Sequence, residues 1–313
     1  MVVSTAAWDD KQGFTHAALH AVCALAHSTP CAGHPQRYPS QTRAAPIHGL
    51  HLAPHPAPPH DATGIPAAGN WTEMPHTIAI VGNGRLGSAL AAALRSAGHD
   101  ACGPLGRGAD GLGADLVLIC VPDAQIAAAA ACIVRGPIVG HCSGATPLDV
   151  LGDRERVGLH PLMTVTGAST SLRGAGCAIA GSTPQALARI RAVATDLGMH
   201  PFDMADADRP AYHAAASIAS NFLLTVEDFA EQLATSAGVP REALVPLVRA
   251  SVENWAAVGA GAALTGPIAR GDAATVARQR EAVASHTPQL TGLFDALASA
   301  TAELAASPQK AAA

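Results

Sequence analysis

From residue 77 onward the apolar positions follow two alternating rhythms. Short runs rich in Val, Ile and Leu stand at Thr77–Val81, His99–Leu105, Asp115–Val121, Pro137–Cys142, Val157–Thr164, Cys177–Ala180 and Met199–Met204. Runs this short and this apolar predict strands covered on both faces of a sheet. Between them lie segments with helical spacing: Ser88–Ala97, closed by Gly98, one from Pro122-Asp123 to Ile133, and one from Pro184 to Leu197. Thr146-Pro147-Leu148-Asp149 has the form of an N-cap, a first-turn proline and a capping-box carboxylate, and Ser182 with Gln185 is a second capping-box match. After Met204 the strands stop. Helices are predicted from Asp208-Arg209-Pro210 to Ser236, from Pro240 to Val258 with a kink at Pro246, from Asp272 to Ser285 and from Thr287-Pro288 to Ala306. The pattern predicts an α/β chain: a doubly wound, mostly parallel sheet, then a smaller all-α domain.

Domains are accordingly expected at 75–205 and 206–308, with 309–313 disordered. Residues 1–74 differ from both. Pro and His crowd His34–His60, and no sustained period appears beyond a weak helical hint at Thr15–Ala26. Such a segment buries too little apolar surface to offset its ordering entropy, so a disordered Ala/Pro/His-rich tail is expected, with Met74 as an alternative start.

Composition then narrows the possibilities. Hydrophobic residues make up 49% of the 313 but aromatics only 3%, so the core is expected to be built from Ala, Val, Leu and Ile. A net charge of −5 speaks against a general nucleic-acid or anionic-membrane binder. The seven cysteines are odd in number and form no C-x-x-C pair, which fits free thiols in a reducing, cytoplasmic compartment. The longest apolar stretch, Ala211–Val226, is interrupted by His213, Asn221 and hydroxyl residues, and is expected to be a buried helix rather than a membrane span. Asp9-Asp10 stands where a secretory signal would carry basic residues.

The chemistry concentrates at strand ends. Gly82-Asn83-Gly84-Arg85-Leu86-Gly87 leaves the first strand and opens the first helix, matching G-x-G-x-x-G in its strand–turn–helix context. The first glycine allows the tight turn, the second lets backbone approach a pyrophosphate, and the third lets helix pack on strand. The helix N-terminus then offers N–H groups and partial positive charge to phosphate. The region after the second strand holds Arg107 and no acid before Asp110, which suits a 2′-phosphate and favours NADP over NAD. Val121, Pro122 and Ser143, at the ends of later strands, are further candidates for cofactor contact.

Histidine has a pKa near neutrality and suits proton exchange with a substrate oxygen, so His141 and His160 are candidate catalytic residues. On the first helix of the all-α part, His213, Ser217 and Asn221 are spaced i, i+4, i+8 and share one face, which adds them to the set. Tyr212 lies about 100° round that helix from His213 and is expected to point elsewhere. His141, Cys142, His160 and His213 lack the close ligand pairs of a zinc site, so no metal is expected. Arg209, Arg249 and Arg270 are possible clamps for an acidic substrate. Arg249, Glu253, Asn254 and Trp255 form a polar patch, and the Thr265–Gly271 loop is placed to close over a site.

VGNGRLGSAL, CVPDAQI, HCSGATPLDVL, GLHPLMTV, DRPAYHAAASIASNF, LVRASVENW and LTGPIARGD, in this order, resemble Rossmann-like NADP oxidoreductases whose C-terminal half is a domain of unknown function. The likeness spans about Met74 to Ala306. More distantly the chain is similar to the ketopantoate reductase, prephenate dehydrogenase and 6-phosphogluconate or β-hydroxyacid dehydrogenase group. The resemblance implies a Rossmann domain, a helical domain like that group's C-terminal one, and a homodimer formed through it. It also implies hydride transfer between NADP and a small molecule held between the domains. β-Hydroxyacid members carry a catalytic lysine on the first long helix, with an asparagine four residues on. Here no lysine occurs between Lys11 and Lys310. His213 is then the expected general acid, with Asn221 orienting the substrate. Two other readings are a non-enzymatic NADP(H) sensor and a hydride shuttle between NADP and a deazaflavin or flavin.

Overall fold

The computed structural model describes residues 77–106 and 108–307. The expected tail at 1–74, the 309–313 end and Arg107 lie outside the described residues. The chain falls into two compact units that divide in sequence between Ala230 and Glu231.

The first unit is built on one seven-stranded sheet. Its strands are β1 Thr77–Val81, β2 Asp100–Leu105, β3 Leu116–Ile119, β4 Ile138–His141, β5 Arg156–Leu162, β6 Gly176–Gly181 and β7 His200–Asp203. They lie in the order β2-β1-β3-β4-β5-β6-β7. All neighbours are parallel except β5 and β6. Alternation along the strands makes two layers. Ile78, Ile80, Leu116 and Leu118 pack with α1 (Arg85–Ser96) and α3 (Pro184–Asp196). Ala79, Val81, Val117 and Ile119 pack on the other face with α2 (Ile126–Cys132) and a 3-10 turn at Leu148–Leu151. Neither buried cluster contains an aromatic residue.

Strand order also places a crevice. The chain leaves β1 for β2 on one side and returns as β3 on the other, so connections diverge at the carboxyl ends of β1 and β3. Ligands of open α/β sheets sit at such a switch point.

Every expected strand is present within two residues of its expected ends. The caps differ. Residues 146–149 start one 3-10 turn rather than a helix, because Thr146 Oγ1 accepts from Ser143 Oγ at 2.9 Å instead of capping. Gly152, at φ 80°, then turns the chain away. For α3 the cap is Thr183, whose hydroxyl accepts from Ala186 N at 3.0 Å; Ser182 Oγ accepts from Arg156 N instead. The long helix from Arg209 is three pieces in one run: α4 Arg209–Ser217, a π-turn at Ile218–Phe222, and α5 Leu223–Ser236. Its 211–226 stretch is not the buried helix expected, since Ile218, Phe222 and Leu224 are 58%, 59% and 69% exposed within the chain.

The second unit takes the end of α5 and three helices, α6 Arg241–Ala263, α7 Ala273–His286 and α8 Thr291–Ala306. Asp272 caps α7 by accepting from Thr275 N at 3.0 Å. Thr287 does not cap α8; its hydroxyl donates to the Val283 carbonyl oxygen. In α6 the helical backbone breaks at Gly259, where φ is 77°, and not at Pro246. Proline near a helix start forfeits one bond, whereas a positive φ interrupts the helix outright. Arg280 donates twice to the Asp295 carboxylate, at 2.7 and 2.8 Å, tying α7 to α8. Among the described residues no helix is long and apolar enough to cross a membrane.

Candidate functional site

The glycine turn meets the crevice at the end of β1. Gly82 has φ 117°, and a Cβ there would run into the Cys120 carbonyl oxygen. A Cβ on Gly87 would run into the Gly82 carbonyl oxygen. Both glycines are therefore required by the protein's own packing. Gly84 is different: its φ is −71°, and a Cβ would meet nothing within 4 Å among the described residues. No side chain caps α1 at this point, and no acidic residue stands in its first turn. The turn thus presents bare backbone and a helix N-terminus to open space.

That space is a cavity of about 430 Å³ lined by Gly84, Arg85, Leu86, Cys120, Val121, Asp123, Cys142, Ser143 and Val165. It holds five of the expected cofactor contacts: Gly84, Arg85, Leu86, Val121 and Ser143. Gly82, Asn83, Gly87 and Pro122 shape the turns around it and do not line it.

A second cavity, of about 590 Å³, opens along α4 and the π-turn. His160, Tyr212, His213, Ser217, Ser220 and Asn221 supply its polar wall, with Leu162 and Met163 among its apolar lining. All of these residues belong to the first unit. In a continuous α-helix Asn221 would drift past the line of His213 and Ser217. The wider π-turn takes more residues per revolution and reduces that drift, a use such turns often have at functional sites. The two cavities abut along the chain, since Thr164 lines the second and Val165 the first.

His160 is the best-held side chain of the second cavity. Its Nδ1 lies 2.6 Å from the Tyr212 hydroxyl, and the rings meet edge to face at 5.5 Å. The ring also packs on Gly144, where a Cβ would stand 2.8 Å from its Cε1. Burial pushes the His160 pKa down to about 4, with the nearby His213 and Arg209 acting in the same direction, so the ring is neutral at pH 7. Burial likewise pushes the Tyr212 hydroxyl up to about 12, so it keeps its proton. Tyr212 also touches Phe202, edge to face at 6.0 Å. Sequence spacing assigned Tyr212 to another face of the helix. The cavity is wide enough to reach both Tyr212 and His213, and the pairing with His160, 52 residues away, leaves no mark in local sequence.

His141 does not join this group. It is fully buried, its Nδ1 accepts from Ser143 N at 3.2 Å, and its Nε2 lies 3.3 Å from the Pro147 carbonyl oxygen. Its ring is spent on the 143–147 turn, which corrects the expectation of a catalytic role. Arg209 is not a substrate clamp either. It is 2% exposed, donates to Asp206 Oδ1 at 2.5 Å and to the Ser143 carbonyl oxygen at 3.3 Å, and lies under Gly158. Asp206 also accepts from Leu148 N at 3.1 Å. Burial alone would raise the Asp206 pKa, but the Arg209 and Leu148 hydrogen bonds hold it below the usual carboxylate range. Arg249 and Arg270 are exposed in the second unit.

Residues 175–301 match the family model described as a domain of unknown function, DUF2520. No curated protein sequence matches the chain. Among solved structures the chain is similar to BF3122 from Bacteroides fragilis, named as a candidate NADP oxidoreductase, with 20% identity, a TM-score of 0.63, and coverage of 73% of this chain and 98% of that one. It is similar to TM1727 from Thermotoga maritima, with 21% identity, a TM-score of 0.64, and coverage of 74% and 100%. It is also similar to a reductive aminase from Aspergillus terreus solved with NADPH4, cyclohexanone and allyl amine, at 15% identity, a TM-score of 0.54, and coverage of 74% and 98%. At these identities the likeness is one of fold. The chain therefore has a Rossmann-type fold that it shares with these structures, and its residues 175–301 match the DUF2520 model.

Proposed function

We propose that the protein is an NADP-dependent oxidoreductase that moves a hydride between the nicotinamide and a small molecule. The observation that carries this reading is Gly84. It is a glycine with ordinary backbone angles, where a Cβ would meet none of the described residues, at an N-terminus of α1 that no described side chain caps. No packing need explains it, whereas close approach of a pyrophosphate does. The residues present fit the group. The N–H groups of Arg85 and Leu86 and the Arg85 side chain would hold the phosphates, and Asp123 offers an acceptor for ribose hydroxyls. Arg107 would bind the 2′-phosphate, which favours NADP over NAD. The NADPH4 complex among the similar structures supports a nicotinamide dinucleotide as the cofactor; the choice of NADP over NAD rests on Arg107. When bound, the nicotinamide supplies or takes the hydride.

The second cavity supplies the proton chemistry. His213 is the general acid for the substrate oxygen or nitrogen, Asn221 and Ser217 orient it, and the His160–Tyr212 pair fixes the wall opposite. Among the described residues no Asp, Glu, Lys or Arg lines this cavity, so a neutral carbonyl or imine suits it better than a polyanion. The same lack of charge favours one further reading, hydride exchange with a deazaflavin or flavin. We also propose a homodimer through the helical region. Leu247, Trp255 and Val258 of α6, at 65%, 59% and 60% exposed, form a stripe of a kind that isolated soluble chains rarely leave uncovered.

The test is NADPH oxidation with small carbonyl, imine and flavin acceptors, for the wild type and His213→Ala. The variant is expected to lose about 10²–10⁴-fold in turnover with NADPH affinity unchanged. Tight NADPH binding without turnover of any acceptor would leave the sensor reading in place of the enzyme.

A further inference from the structure

The floor of the first cavity contains a feature that hydride transfer does not use. Ile119 and His141 are partners in the parallel ladder of β3 and β4, so the next residues, Cys120 and Cys142, stand side by side at the strand ends. A hydrogen bond from Cys142 N to the Ile119 carbonyl oxygen, 3.1 Å, holds them there. Their Sγ atoms are 3.5 Å apart, and both residues line the cavity. Cys120 is half-buried and Cys142 buried. Cys120 also lies directly beneath the glycine turn. Its carbonyl oxygen is the atom that excludes a side chain at Gly82, and its Cβ is 3.3 Å from where a Gly87 Cβ would be.

We propose that Cys120 and Cys142 form a reversible dithiol–disulfide couple, oxidised by a hydroperoxide, that governs dinucleotide binding in this cavity. The control over binding rests on the dinucleotide reading above; the couple itself does not. Cys120, the thiol within reach of the cavity, meets the oxidant. Its sulfur attacks a peroxide oxygen, the O–O bond breaks, an S–O bond forms, and the departing oxygen leaves as alcohol or water with the thiol proton. Cys142 sulfur then attacks the Cys120 sulfenic sulfur. The S–O bond breaks, the S–S bond forms, and the Cys142 proton leaves with the hydroxyl as water. The two thiols lose two electrons and the peroxide gains them.

The order of attack follows from the surroundings. The hydrogen bond with Cys120 and burial hold the Cys142 thiol well above the usual range, which suits a resolving partner rather than the first nucleophile. Bond formation draws the sulfurs roughly 1.5 Å closer, towards the disulfide length. That movement shifts the strand ends on which the glycine turn rests.

The test uses the reduced full chain treated with hydrogen peroxide. Intact mass is expected to fall by two hydrogens, with a peptide link joining Cys120 and Cys142, and dithiothreitol is expected to reverse it. Affinity for NADPH is expected to drop at least about tenfold on oxidation. Cys132→Ser, changed at an exposed thiol on the same proteolytic fragment, keeps the link. Cys142→Ser gains oxygen instead, stopping at a Cys120 oxyacid. Oxygen addition to the wild type without loss of hydrogen would overturn the couple. A complete link with unchanged NADPH affinity would overturn its control of the cavity. A reduced chain that binds no NADPH would contradict the dinucleotide reading and remove that control, while the mass still decides the couple.

Discussion

At the scale of single residues, roles divide by what each polar atom is already bonded to. His141 and His160 look alike in sequence, each a lone histidine in an apolar strand. His141 has both ring nitrogens engaged by the 143–147 turn, whereas His160 faces a cavity and leans on Tyr212. Nothing local distinguishes them; a chain contact over 52 residues does. The trio His213, Ser217 and Asn221 was legible because its i, i+4, i+8 spacing keeps its members near one face; the π-turn, which the sequence did not announce, reduces the remaining drift, and the cavity takes all three. Tyr212 was not, since one helical angle says nothing about the width of a cavity. Removing the Tyr212 hydroxyl by Tyr212→Phe frees the His160 ring. Turnover is expected to fall, and steady-state kinetics should show the loss mainly in kcat, with the melting temperature nearly unchanged. A loss confined to NADPH affinity would place Tyr212 in cofactor binding instead.

At the scale of elements, the glycine turn separates fold from function. Gly82→Ala puts a β-carbon on the Cys120 carbonyl oxygen at a positive φ and is expected to destabilise the chain by at least about 1–3 kcal/mol in urea unfolding. Gly84→Ala meets nothing and is expected to leave stability within about 0.5 kcal/mol. The strands and the layers around them were legible, because short continuous apolar runs alternating with helical spacing leave a strong mark. The 146–151 turn was not, because the hydroxyl of Ser143 takes the cap that the sequence assigned to Thr146. Arg209 looked like a clamp for the same kind of reason: its partners, Asp206 and the Ser143 carbonyl, are visible only in three dimensions. It joins the start of α4 to the 143–148 turn. Arg209→Met is expected to cost about 1–3 kcal/mol, the penalty for polar partners left unsatisfied, and denaturant unfolding measures it.

At the scale of the whole molecule, acid is the condition that probes the site. His160 titrates at about 4 when folded and near 6.5 when unfolded. The unfolded chain therefore binds more protons between those values, so stability is full above about pH 6.5 and is lost as pH falls towards 4. His141, also lowered by burial and by Arg209, adds in the same direction, and Asp206 adds below the usual carboxylate range. Unfolding midpoints are expected to hold steady above neutrality and fall between pH 6.5 and 4, with a shallower fall in His160→Gln. An unchanged slope in that variant would assign the acid sensitivity elsewhere. The exposed apolar stripe on α6 predicts a dimer by light scattering, which Trp255→Glu should weaken; a monomeric wild type at all concentrations would contradict it.

The dinucleotide site itself is tested most directly by fluorescence titration of NADPH and NADH, with wild type beside Gly84→Val. The account predicts saturable NADPH binding, weaker NADH binding, and loss of both in the variant at an unchanged melting temperature. Binding of neither nucleotide to the wild type, or undiminished binding to Gly84→Val, would contradict it.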